Sequence, residues 1–444
     1  MDQAMAGTRL RRRRTAGAAL GLLILTGGPA GWLARHVVPH SVNGPAFVTT
    51  YLVGGVSLVA IVACWQELHQ IHWRRLPPPL VPIIAFISFE LLSAFWSVSA
   101  SFTAQQALQE IGIVAFGVWF GLFLRTKEQI WSVALAGGSA IVLSTMVILI
   151  RPEYGRMFPN HPTTNWSGIF ANRNPLAHVC VLAIIGIVGV MLSRRTIATL
   201  VVGALLIADA LWLLVHTRGA TAMAALLLAA AVGVATPLLW FVKRRGCPGW
   251  AVVATLFAAL AAALWWTGRH VGVWTSRLGR DTTINGRSNI WDEVMRRISQ
   301  RPWAGYGWFA FWQNKDLAAA SRAVIGFRAA HAHNSALEVF LGLGLIGFVL
   351  YLMILGWSVI GVGRIVWFEP GLRSWWWAVM LTFLLVINQT TTLVGVTHIW
   401  VLSIAAACVA FNVTDATKGE PLADVVDLPE PTTDQSPGSV TLDV

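Results

Sequence analysis

Charge is what this sequence has least of: 12% of its 444 residues are Asp, Glu, Lys or Arg, while 56% are hydrophobic and the mean hydropathy is +0.64. So small a polar complement cannot cover the surface of a soluble globule, and the chain reads as an all-α polytopic membrane protein. Cysteine is scarce too. Cys64, Cys180, Cys247 and Cys408 lie in or beside apolar stretches without paired spacing, which implies neither a disulfide framework nor a zinc site. The basic start, Arg9 and Arg11 to Arg14, is followed by an apolar stretch with no clear small-residue cleavage site, so that stretch reads as a retained first helix. The net charge of +12 does not call for nucleic acid, because cytoplasmic loops of membrane proteins collect Lys and Arg in any case.

What the chain has in abundance is apolar runs long enough to cross ~30 Å of hydrocarbon, roughly 20 residues as helix. They fall at 16–38, 46–66, 78–99, 107–124, 130–150, 174–192, 197–216, 220–242, 249–267, 334–362, 374–396 and 398–412, about twelve in all. Sorting the basic residues into alternating loops puts 17 of the 32 on the side of the N-terminus and five in the short loops opposite. The other ten lie in one long loop, which the positive-inside rule does not govern. Both termini are therefore expected in the cytoplasm and the long loop outside. The expected organisation is a basic tail (1–15), nine helices (16–267), a large extracytoplasmic loop (268–333), three helices (334–412) and an acidic, disordered tail (413–444).

The polar residues assigned to the outside are mostly cationic. Arg151 to Asn174 contains Arg156, His161, Asn165, Asn172, Arg173 and Asn174; a turn between spans reads His216-Thr217-Arg218-Gly219. The long loop sets ten basic residues, Arg280 and Arg287 among them, against only Asp281, Asp292, Glu293 and Asp316. A cationic pocket there suits an anionic group carried by a lipid, such as a diphosphate, since Arg presents planar paired donors to phosphate oxygens. Snorkelling to lipid headgroups is the alternative for any single Arg. Asp209 and His216 share a helix face leading to Arg218, either as functional groups or as a tether between helices. Glu90 and Glu110 lie inside spans without an evident partner. The tryptophans at span ends, Trp265-Trp266 and Trp375 to Trp377, read as headgroup-region indoles. Trp303, Trp308 and Trp312 face either a substrate or a helix neighbour.

The sharpest feature is His331-Ala332-His333-Asn334, standing where the basic loop re-enters the membrane and followed by Glu338, Gly342, Gly344 and Gly347. An imidazole can take the proton of an attacking sugar hydroxyl. No third ligand stands at helical spacing, so a metal site is the weaker reading.

His333-Asn334, nine residues, Gly344, two residues and Gly347 resemble the motif H-[NSQ]-x9-G-x-x-[GTY] of the O-antigen ligase and polymerase superfamily of membrane glycosyltransferases. Gly286-Arg287-Ser288-Asn289-Ile290-Trp291 and Arg301-Pro302-Trp303-Ala304-Gly305-Tyr306-Gly307 are similar to its GR-x-x-x-W and P-x-x-G-x-G signatures, and Leu92 to Ser97 and Phe170 to Asn174 to its early elements. The resemblance implies a GT-C-like membrane fold in the bacterial cytoplasmic membrane with its active site on the outer face. It implies transfer of a glycan from an undecaprenyl diphosphate-linked donor to a glycan or lipid-linked acceptor, without metal, cofactor or nucleotide sugar. His333 takes the position of the family's essential histidine, and Arg218 and Arg287 those of the diphosphate-binding arginines. His331, Asn334, Arg173, Arg280 and Tyr306 are expected in support. One departure stands at the turn, which reads Arg218-Gly219-Ala220-Thr221 where ligases often have R-x-x-L. Ligase and polymerase both fit, and a flippase or transporter for lipid-linked sugars is the alternative from another class; that reading predicts inverted repeats, and none is evident.

Overall fold

The computed structural model of the chain describes residues 2–29, 32, 44–69, 76–157, 165–246, 287–327, 329–389, 391–392, 395 and 397–413. These residues form α1 (Asp2–Leu25), α2 (Gly44–Leu68), α3 (Leu80–Leu92), α4 (Ala100–Phe123), α5 (Thr126–Ile150), α6 (Arg173–Ser193) and α7 (Ile197–Thr217). There follow α8 (Ala220–Arg244), α9 (Arg287–Gln300), α10 (Lys315–Ile325), α11 (Ser335–Phe368), α12 (Leu372–Asn388) and α13 (His398–Cys408). Among the described residues there is no strand, only an isolated bridge between Arg156 and Trp166. Six helices, α4 to α8 and α11, are long and apolar enough to span a membrane, and α3, α12, α13 and most of α2 are apolar but shorter. The expected span 249–267, residues 268–286 and the tail beyond Val413 lie outside the described residues.

Two of the expected spans end early, each for a visible reason. The stretch 78–99 leaves the helix at Leu92, because the Ser93 hydroxyl donates to Glu90 O (2.6 Å) and accepts the amide of Trp308 (3.1 Å). The stretch 374–396 stops at Asn388, where the following chain crosses the start of α11: Asn334 Nδ2 donates to Gln389 O (3.1 Å) and the Ser335 hydroxyl to Thr391 O (3.1 Å).

Small residues set the helix spacing. A Cβ on Gly137 of α5 would stand 2.8 Å from Ala183 of α6, and one on Gly186 of α6 2.7 Å from Ala134 of α5. Backbones this close maximise dispersion contact where lipid removes the hydrophobic drive between helices. Every residue of α13 is buried, whereas α7 and α8 turn Leu205, Val215, Leu227 and Val234 outward. Trp376 and Trp377 are fully buried inside the bundle, with Trp377 Nε1 bonded to Gln129 Oε1 (3.1 Å). They are therefore packing residues and not headgroup anchors. Trp308 and Trp312 are likewise buried, and only Trp303 of that trio is exposed.

The described part of the long loop is a helical cap with its own small core, in which Ile290, Val294 and Ile298 of α9 meet Tyr306, Phe311, Trp312 and Ile325. Glu293 fastens α9 to α10. Its carboxylate takes Arg296 (2.7 Å), Arg297 (2.7 Å) and the hydroxyl of Ser321 (2.9 Å). Two arginines counted with the outer cationic group are thus engaged by an acid.

The cap is locked onto α11 at a break in that helix. Gly344 has φ 64° and ψ −163°, a conformation open essentially to glycine alone. The break leaves helix carbonyls without helical partners, and Tyr306 N takes Leu341 O (3.1 Å) while Gly307 N takes Gly342 O (2.9 Å). Across the break, Leu345 N donates to Pro302 O (2.8 Å). Gly305 and Gly344 permit the approach, since a Cβ at either would come within 2.5 Å of the opposing backbone. Gly344→Ala should therefore cost roughly 2–5 kcal/mol through strain and overpacking together. Thermal unfolding in detergent should show a clear loss of Tm, while Gly356→Ala, where a Cβ meets nothing within 4 Å, should leave Tm unchanged.

Candidate active site

A cavity of about 470 Å³ lies among the starts of α6, α8 and α9, the end of α7 and the turn before α11. Arg173, Arg218, Arg287 and His333 all line it. Local structure explains why each faces the same space. Arg173 opens α6 behind the cap Asn172, whose side chain accepts Asn174 N (3.2 Å). Arg218 closes α7 in the left-handed region, φ 51°. Its turn is fixed from outside, where Trp166 N donates to His216 O (3.3 Å) and the Trp166 ring stacks on His216 with centroids 3.9 Å apart. The turn is also fixed from inside by Gly219, where a Cβ would stand 2.7 Å from that of Ala177 on α6. Asp209 takes no part in this turn; it accepts the hydroxyl of Thr145 (2.8 Å).

The histidine turn is held at Ala332. Glu338 accepts the Ala332 amide at 2.6 Å, Trp291 Nε1 donates to the Ala332 carbonyl at 3.0 Å, and Trp312 Nε1 holds the other Glu338 oxygen at 3.1 Å. With both backbone groups of the central residue engaged, the flanking histidines are fixed. His333 adopts φ 54°, its amide donates to His331 Nδ1 (3.3 Å), and the two rings lie 4.0 Å apart. Left-handed conformations are costly for residues with a Cβ and persist where the surroundings enforce them. Arg218 and His333 both carry that strain in the wall of one cavity.

The electrostatics follow from the company these groups keep. Burial pushes the His333 imidazole down to about 4, and His331 and the Arg287 guanidinium push the same way. His331 is lowered by burial and by Arg287. Arg287 itself is lowered by burial and by Arg173, yet a guanidinium starts so high that it stays charged. At neutral pH the cavity thus presents fixed positive charge beside an uncharged imidazole whose Nδ1 is buried without a hydrogen-bond partner.

Three expected residues are elsewhere. Asn334 is the cap of α11, accepting Leu337 N (3.1 Å), and His331 stands behind His333. Tyr306 is buried in the cap, its hydroxyl donating to Arg297 O (3.1 Å), so its place is structural. Arg280 lies outside the described residues. The cavity wall adds His178 and Thr391, which sequence reasoning missed. His178 was hidden in an apolar helical run, and Thr391 in a stretch whose hydropathy continued a span. Glu90 and Glu110 do not line the cavity; both are buried, and Glu110 faces the indoles of Trp308 and Trp400 without a well-directed hydrogen bond.

Histidine NMR on the labelled, donor-free protein, assigned through His333→Asn, should give a midpoint near 4 for His333. Arg287→Gln should move His331 and His333 upward together. A parent midpoint at the ordinary 6.5 would mean that the cavity is neither as buried nor as cationic as described.

The family model described as O-Antigen ligase matches residues 205–352, a stretch running from α7 through Arg218, Arg287 and His333 to beyond the break in α11. The chain is also similar to the Exopolysaccharide production protein ExoQ of Rhizobium meliloti (strain 1021), 26% identical over 316 residues, covering 68% of this chain and 70% of that one. Residues 205–352 thus resemble the O-antigen ligase family, and the chain shares most of its length with an exopolysaccharide production protein.

Proposed function

We propose that this membrane enzyme transfers a glycan from an undecaprenyl diphosphate donor to an acceptor hydroxyl, at the outer face of the bacterial cytoplasmic membrane with both termini inside. The observation that supports this most is the convergence of Arg173, Arg218 and Arg287 with an uncharged His333 in one cavity. The diphosphate lies between Arg218 and Arg287, with Arg173 beside them. Their fixed charge compensates the negative charge that builds on the diphosphate as its bond to the anomeric carbon breaks. The acceptor oxygen forms the new bond to that carbon from the opposite side and passes its proton to His333. A single displacement of this kind inverts the anomeric centre.

The test is reconstitution of the full chain with a lipid-linked oligosaccharide. A product ladder without added acceptor is the polymerase outcome, one discrete product with acceptor the ligase outcome, and relocation of the lipid without chemistry the flippase outcome. His333→Ala should lower the transfer rate about 10²–10⁴-fold, the usual worth of a general base. Arg218→Gln and Arg287→Gln should raise the donor KM first. Near-parental transfer by correctly inserted His333→Ala removes the base assignment, and unchanged donor binding in both arginine variants removes the clamp.

A further inference from the structure

The cavity contains a second set of donors that neither motif nor charge accounts for. Gly219 caps α8, and the wall of the cavity continues through Ala220, Thr221 and Ala222, the first turn of that helix. The amides of Ala220 and Met223 are engaged, by Arg218 O (3.1 Å) and Gly219 O (3.0 Å) respectively. Those of Thr221 and Ala222 have no partner among the described residues, as expected of donors in a first helical turn. Such a turn carries partial positive charge and suits an anion.

A helix start alone specifies no ligand, but His178 adds an independent observation. This residue sits on α6 one position past Ala177, whose Cβ abuts Gly219 at the cap of α8. It is 5% exposed, lines the same cavity, and makes no hydrogen bond to any described residue. Its side chain is part of the cavity wall, beside the first turn of α8. A side chain this deep loses water on folding, and leaving its polar atoms unpaired costs on the order of 1–3 kcal/mol unless something in the cavity pairs with them. Arg287 lies within electrostatic reach of the ring.

We infer that His178 and the Thr221 and Ala222 amides form a neutral-donor cradle for one phosphate of the donor diphosphate, complementing the arginines that face the other. The inference rests on the diphosphate reading of the cavity. The cradle distributes the work. Guanidinium groups supply charge and paired donors on long, adaptable side chains, whereas amides and an imidazole N–H fixed on two helices demand a phosphate at one place and in one orientation. It also gives a reason for the small residue that follows Arg218, because a bulky side chain at Gly219 would clash with Ala177 and carry the first-turn amides of α8 away from His178.

Binding of undecaprenyl diphosphate to the purified full chain, with undecaprenol as the control, tests this by native mass spectrometry. His178→Ala should weaken diphosphate binding about 10- to 100-fold, the worth of a hydrogen bond to a charged group. Undecaprenol retention and ligand-free Tm should stay unchanged. His178→Gln, which keeps an N–H donor, should stay within about threefold of the parent. Thr221→Glu places a carboxylate in the first turn, which the helix tolerates, and should abolish diphosphate binding without loss of Tm. Parental affinity in His178→Ala, or equal losses for diphosphate and alcohol, overturns the cradle while leaving the arginine site standing. A parent chain that does not prefer the diphosphate to the alcohol overturns the underlying reading and the cradle with it.

Discussion

The break in α11 is the constraint on which the rest of the site depends. In a membrane protein, backbone groups released from a helix must find partners within the protein. Here the carbonyls of Leu341 and Gly342 find them in the amides of Tyr306 and Gly307, and Leu345 finds Pro302 across the break. The helix cannot break without the cap, whose backbone hold on α11 also includes Ile346 N donating to Trp303 O (3.4 Å). Once docked, the cap brings Trp291 to Ala332 O and Trp312 to Glu338, so the histidine turn is shaped by the element that also carries Arg287. Base and cation are therefore positioned by one interlock, although they come from different parts of the chain.

This explains which parts of the site were legible in the sequence. Arg173, Arg218, Arg287 and His333 could be found because charge is rare in so apolar a chain, and a cation or imidazole next to a span carries information. The glycines and Tyr306 were legible as a pattern but not as a role. Their spacing encodes the interlock, and spacing alone does not say whether a motif residue touches substrate or backbone. Arg296 and Arg297 illustrate the converse, since Glu293 at i−3 and i−4 was visible in the sequence as their natural partner. His178 and Thr391 were not legible. A single polar residue in an apolar helix announces itself only when the facing element is known, and that element, the start of α8, is brought near by packing of Gly219 on Ala177.

The fold was readable at the level of composition and less so at its edges. Apolar runs marked α4 to α8 and α11 closely, but α3 and α12 end where another segment intrudes and offers better hydrogen bonds than the next helical turn. The tryptophans misled for a related reason. Indoles favour both headgroups and helix contacts, and Trp376 and Trp377 are placed by Gln129 and their neighbours in the bundle, which no local pattern reveals.

The field that gathers an anion also acts on the base. Burial first, then the neighbouring His331 and the Arg287 guanidinium, hold His333 near 4 and so keep it uncharged but weakly basic, in a cavity whose described wall has no carboxylate. A unit negative charge roughly 5 Å away, at an effective dielectric near 20, is worth about 3 kcal/mol, or about two pH units. A diphosphate seated between the arginines would thus return His333 to the range where a general base is most effective at neutral pH. Donor binding and base activation are then one electrostatic event, and the imidazole gains strength only when there is a leaving group to displace.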